Sequence, residues 1–210
     1  PFQPVDQKVD ELAFQQHTYK DTTIGFLADV KDMPNQYEYS LSFFKRFYRP
    51  ENSTLLVVGD VKPDQVFTLA DKYYGPWKRG YEAPKVAAEP PPTGPQRAHL
   101  DWPSPTNPYV MAGYRTPAFA ADRTWASLFV IEQLLFAESA PLYQDLVVDK
   151  QWVVFVGVGA DAHRDPYLFG IYARARGDEL LPKVEGRIHE APAELQSKPV
   201  GAAPLDRIKA

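Results

Sequence analysis

At 210 residues the chain is ~1.4 times a common single-domain length, long enough to bury a core without a disulfide or metal staple. Hydrophobic residues at 44% and aromatics at 13% exclude intrinsic disorder, and a formal net charge of −4 argues against a nucleic-acid partner. The absence of cysteine removes disulfides, thiol nucleophiles and thiolate metal sites, and no apolar run approaches the ~18 residues of a membrane span.

Taken in chain order, residues 5–16 place Val9, Leu12, Ala13 and Phe14 at helical spacing. Residues 22–28 read as a loop in which Gly25 is free to take a positive φ. Residues 35–49 carry Tyr37, Leu41, Phe44 and Tyr48 at steps of three and four, an amphipathic helix that Pro50 stops. The apolar run Thr54–Gly59 predicts a strand covered on both faces and central to its sheet. Phe44 and Tyr48 are then expected to be buried against the sheet containing Val57. Pro63 suits a first helical turn, and Val66, Leu69, Ala70 and Tyr73 give that helix its apolar face before Gly75-Pro76 closes it.

The clearest boundary is 78–96, with Pro84, Pro90, Pro91, Pro92 and Pro95, a composition that favours an extended spacer. Beyond it, residues 97–102 and 108–114 read as strands. Asp122 can cap a helix through Trp125, Leu128, Phe129 and Leu135, and residues 141–150 form another with Leu142 and Leu146 inward. Residues 152–160, expected to be a central strand, and 167–175 form two strands around the turn Asp161-Ala162-His163-Arg164-Asp165. Residues 180–195 resume helical spacing, which Pro192 is expected to kink or shorten. The order predicts an α+β class: two lobes of mixed sheet packed with helices. Both termini read as cuts through a longer protein, so the chain is expected to be a fragment.

No motif in the chain carries catalytic chemistry by itself. His17, His99, His163 and His189 are widely spaced and form no His-x-x-x-His or His-x-x-Glu-His pair. Glu185 and His189 stand at i and i+4 and could share a metal, although a solvated helix pair is the simpler reading. His17, beside Thr18-Tyr19, reads as a loop-packing residue. Gly157-x-Gly159 lacks the third glycine and following helix of a phosphate cradle, and Ser104, Ser127 and Ser139 lack a nucleophile-elbow pattern. Asp161, His163 and Asp165 have the composition of a solvated hairpin loop.

Four stretches together resemble the pitrilysin/insulinase zinc metallopeptidases, the inverzincins. They are Ala13-Phe14 with His17-Thr18-Tyr19 and Ile24-Gly25; Phe44 and Tyr48-Arg49-Pro50-Glu51-Asn52 with Val57-Val58-Gly59-Asp60; Lys72-Tyr73-Tyr74-Gly75-Pro76-Trp77; and Ala140-Pro141-Leu142-Tyr143-Gln144-Asp145-Leu146-Val147-Val148-Asp149-Lys150. The resemblance implies two homologous α+β halves that close around a peptide substrate. Residues 1–82 would be the back of the first half, 83–96 the Pro-rich linker, and 97–210 the front of the second. It also implies that zinc, in the parent protein, is bound by a His-x-x-Glu-His helix and a later glutamate upstream of this chain. No catalytic, substrate-binding or metal residue is therefore carried over. An Arg-Tyr pair that contacts substrate in many second halves corresponds to Val147 and Val154, which fits a catalytic chain relying on a homo- or heterodimer partner and equally a non-catalytic scaffold subunit. Family habit and the cysteine-free acidic composition point to a bacterial periplasm or cytoplasm.

Overall fold

Three antiparallel strands organise the larger part of the molecule. In the computed structural model, which describes residues 2–198 and 200–209, they lie in the order β1 (Tyr109–Arg115), β3 (Leu168–Ala175), β2 (Val153–Gly159). β1 meets β3 in the register Tyr109↔Arg174 to Arg115↔Leu168, and β2 meets it from Val153↔Ala175 to Gly159↔Gly170. The α+β class holds, but every pairing is antiparallel where mixed sheets are expected. The segment at 152–160 is a second correction: β2 lies at the sheet edge, and the central strand is β3. The expected strand at 97–102 is irregular and exposed.

One face of the sheet is the core. Ile171 is 1% exposed, and Ala173, Ala175 and Val153 are fully buried. Against this face pack α5 (Arg123–Phe136) and α7 (Leu181–Ser197). Asp122 starts α5 as expected, its carboxylate accepting from the Thr124 and Trp125 amides. A short helix, α6 (Pro141–Tyr143), continues as a π-helical turn over Gln144–Asp149 that buries Leu146 completely. α7 is not shortened at Pro192, which lies inside it. Val184, Ile188 and Ala191, at helical spacing and buried against the sheet, hold it through the lost proline hydrogen bond.

The opposite face is made smooth by glycine and covered by α1 (Phe2–Ala13). A Cβ at Gly157 would come within 2.8 Å of the Tyr172 ring. That ring meets Phe2 and Phe155 edge-on at centroid distances of 5.5 and 5.9 Å, so displacing it disturbs both contacts. Gly157→Ala is therefore expected to destabilise this unit by about 1–3 kcal/mol, as overpacking does. The check is urea unfolding followed by tryptophan fluorescence; an unchanged midpoint would show that the ring yields.

The chain divides into two units, one formed by the residues through Asp21 together with those from Ala88, the other by Thr22–Ala87. The smaller unit consists of α2 (Leu27–Asp32), α3 (Tyr37–Phe47) and α4 (Pro63–Tyr74), joined by turns. Gly25 takes φ +88°, and Arg49, before Pro50, takes the extended backbone that proline demands after α3. The expectation of a central strand at Thr54–Gly59 is overturned here. The segment pairs with no strand, and Leu56 and Val58 are 82% and 87% exposed. A strand needs a hydrogen-bonded neighbour about 4.8 Å away, and the described residues of this unit supply only helices. Phe44 and Tyr48, each 53% exposed, likewise lie against no sheet; they stack on one another at 4.5 Å.

Candidate functional site

The densest cluster of polar and aromatic groups lies where the end of α1 meets the β2–β3 turn. Phe14, 1% exposed, leaves α1 and stacks on Tyr167 with centroids 5.5 Å apart and planes 11° from parallel. The guanidinium of Arg115 lies over its ring at 4.3 Å and donates to the Ala13 carbonyl. Next, His17 caps a single 3₁₀ turn (Thr18–Lys20): its Nδ1 accepts from the Tyr19 amide at 3.1 Å. Its Nε2 lies 3.4 Å from an Asp165 carboxylate oxygen, so the proton belongs on Nε2, donating to Asp165. His163 lies against Tyr167 at 3.9 Å with the rings tilted by 35°, and meets the edge of Tyr19 at 5.1 Å.

Two carboxylates fasten this node in opposite electrostatic conditions. Glu89, within the Pro-rich stretch, accepts from three successive backbone amides, Gln15, Gln16 and His17, at 2.8–2.9 Å. Burial works to raise its pKa, but the three amides and then Arg115 bring it below the ordinary range. Asp10 accepts the Tyr167 hydroxyl proton at 3.0 and 3.1 Å. Burial pushes Asp10 up to about 6; the Tyr167 hydrogen bond opposes this and the negative charge of Asp6 adds to it. Burial, then Asp10, raises Tyr167, which stays a donor at neutral pH.

The sign of the consequence is fixed. A carboxyl whose pKa is higher in the fold than in the unfolded chain weakens the fold when ionised, fully above about pH 6 and progressively less as pH falls toward 4. Asp10 therefore contributes a gain in stability on acidification across that window, while Glu89, held below the ordinary range, contributes a loss as pH falls further. Asp10→Asn, which keeps an acceptor for Tyr167, should raise the melting midpoint at pH 8 and leave it little changed at pH 4. Equal effects at both pH values would mean that Asp10 does not titrate as stated.

The structure thus joins His17 and His163, distant in sequence, through shared aromatic rings, and it leaves His99 and His189 elsewhere. His99 lies beside Asp101 on the surface. His189 faces Glu185 at 3.6 Å, with Arg97 also on Glu185 and the Tyr114 hydroxyl on His189, as a solvated helix pair would. Asp10, Glu89 and Tyr167 were invisible as partners in the sequence; only Ala13-Phe14 with His17 marked the spot. The node does not suit zinc: both His17 nitrogens are engaged, and the described residues bring no three histidines, aspartates or glutamates into metal-binding range.

Val147 and Val154 each occupy a backbone irregularity of this unit. Val147 lies in the π-helical turn, packed against the core. Val154 is the extra residue of a bulge in β2, between Val153↔Ala175 and Phe155↔Arg174, and is 38% exposed. Bulges and π-turns re-aim side chains and are common next to functional sites. Here both present only apolar groups.

Residues 36–210 match the family model of the peptidase M16 inactive domain. The zinc protease PqqE of Helicobacter pylori is 30% identical over 154 residues, which is 66% of this chain and 31% of that protein. The crystal structure of a protease from Helicobacter pylori superposes with a TM-score of 0.81 at 26% identity, covering 100% of this chain and 50% of that one. A peptidase M16 inactive domain from Pseudomonas fluorescens shares the fold with a TM-score of 0.74 at 18% identity, again over 50% of its chain. The chain thus spans half of these solved structures and less than a third of PqqE.

Proposed function

The chain belongs to the peptidase M16 inactive-domain family, and from this we propose that it is the non-catalytic portion of a zinc-dependent endopeptidase, contributing wall to a chamber that holds a peptide. The observation that carries this reading is the match over residues 36–210 together with the relation to a protein described as a zinc protease. Residues 1–82 and 97–210 are assigned to successive homologous halves joined by the stretch 83–96. Zinc is assigned to a His-x-x-Glu-His helix in polypeptide outside these 210 residues, consistent with the lack of a three-ligand group among those described. The same polypeptide is the natural source of strands to pair with Thr54–Val58, whose apolar side chains and unpaired backbone are otherwise exposed.

A second reading has its own support. Valine at 147 and 154 leaves no polar group where the family's Arg-Tyr pair contacts substrate, so a scaffold subunit of the same fold that works by subunit contacts fits as well. One experiment separates the two. Metal analysis after dialysis and a quenched-fluorescent peptide assay are applied to this chain and to the longer protein that contains it. The expected result is no stoichiometric zinc and no cleavage for the chain, and chelator-sensitive cleavage for the longer protein. Tight zinc or cleavage in the chain alone would overturn the placement of the active site; a longer protein without zinc or cleavage would establish the scaffold.

A further inference from the structure

An open groove of about 540 Å³ lies between the first half of α5 and the end of β2, within the size range of ligand pockets. Its wall is aromatic. Phe119 and Trp125 meet edge to face at 5.2 Å, the Trp125 indole is pinned by its bond to the Ala118 carbonyl at 2.8 Å, and Phe129, 59% exposed, follows one turn along α5. The Phe119 amide donates to the His163 carbonyl at 2.8 Å, which ties the wall to the β2–β3 turn. Small residues, Ala160 and Ala162 among them, form the floor.

The charge in this groove is one-sided. Neither lysine nor arginine lines it. Glu132, partly buried and one helical turn beyond Phe129, has no hydrogen bond or ion pair among the described residues, and its pKa is raised by burial and then by Asp161. Asp161, between Ala160 and Ala162 in sequence, does not line the groove but adds negative charge close to Glu132. Asp122 also lines the groove, but its carboxylate already caps α5. An uncompensated carboxylate at the end of an aromatic wall, with the charge of Asp161 behind it, calls for a side chain with a long apolar stem and a planar cationic head. Arginine has both, and its guanidinium stacks on aromatic faces as an ammonium does not.

We propose that the groove lined by Phe119, Trp125, Phe129 and Glu132 binds an arginine side chain of an extended peptide. Such binding needs no zinc and no cleavage, so it stands or falls apart from the endopeptidase reading. The test is titration of the 210-residue chain with short acetylated, amidated alanine peptides carrying a central arginine, citrulline or norleucine, followed by tryptophan fluorescence and by NMR of the Trp125 indole. The arginine peptide should bind at least tenfold more tightly than the other two, as loss of a charge-assisted contact implies, and less tightly as salt is raised. Glu132→Gln should erase the preference while leaving the melting midpoint unchanged or higher, since it removes a buried charge. Three results would overturn the proposal: equal affinity for norleucine, which makes the groove merely apolar; a preference that survives Glu132→Gln; or self-association in sedimentation that blocks the peptide, which makes a second copy the occupant.

Discussion

Phe14→Ala is expected to cost about 3–5 kcal/mol, the range for removing a fully buried aromatic ring. Phe14 is 1% exposed and is the hub around which the node is built: Tyr167 lies flat on its ring, Tyr19 meets it edge-on at 5.5 Å, and Arg115 covers the remaining face. Removing it leaves a void that none of the three can fill without breaking its own contacts, because Tyr167 is also bonded to Asp10 and Arg115 to the Ala13 carbonyl. The measurement is urea unfolding read by tryptophan fluorescence, with Phe44→Ala as the comparison. Phe44 is 53% exposed, so its truncation in this chain should cost less than about 1 kcal/mol. The sequence alone points to burial of Phe44 against a sheet, from its strong amphipathic pattern, and the structure reverses that expectation. A loss below about 1 kcal/mol for Phe14→Ala would show that the node is not cooperative with the core.

That reversal shows where reading from sequence succeeds and where it stops. Local signals were legible: the Asp122 cap, the stop at Pro50, the positive φ of Gly25, and the hairpin formed by β2 and β3. Each depends on a few adjacent residues. Position within the sheet was not. The apolar run at 152–160 marks a strand covered on both faces, and it is so covered: Val153 and Val156 face the core while Phe155 packs on Tyr109 and Tyr172. Coverage of both faces does not require a neighbour on both edges, so an edge strand whose outer face is covered by Tyr109 and Tyr172 carries the same pattern as a central one. The run at Thr54–Gly59 fails for a different reason, because its meaning depends on strands that the described residues of its unit do not contain. The node was illegible because its parts, Asp10, Phe14 and His17 on one side and His163, Asp165 and Tyr167 on the other, are brought together only by α1 packing across the finished sheet.

Glu89→Ala tests whether the Pro-rich stretch is a passive spacer. Its composition suggests one, yet a single carboxylate in it accepts from the three amides that follow α1, and its side chain is only 6% exposed. Successive backbone amides converging on one anion make a site that no neutral side chain satisfies fully. Hydrogen bonds to a charged group contribute roughly 1.5–3 kcal/mol each, and abandoned donors cost about as much where water cannot replace the acceptor. Gln15 and Gln16 are exposed enough for water to reach, whereas His17 is 4% exposed. The total for Glu89→Ala is therefore set mainly by His17 and is expected near 3 kcal/mol, below the bare sum of three such bonds. Glu89→Gln, which keeps one acceptor oxygen and loses the charge, should fall about midway. Hydrogen exchange locates the effect: the His17 amide should lose protection in both variants, and to a greater degree in Glu89→Ala. If that amide stays protected while stability falls, Glu89 acts through Arg115, 3.8 Å away, and not through the amides.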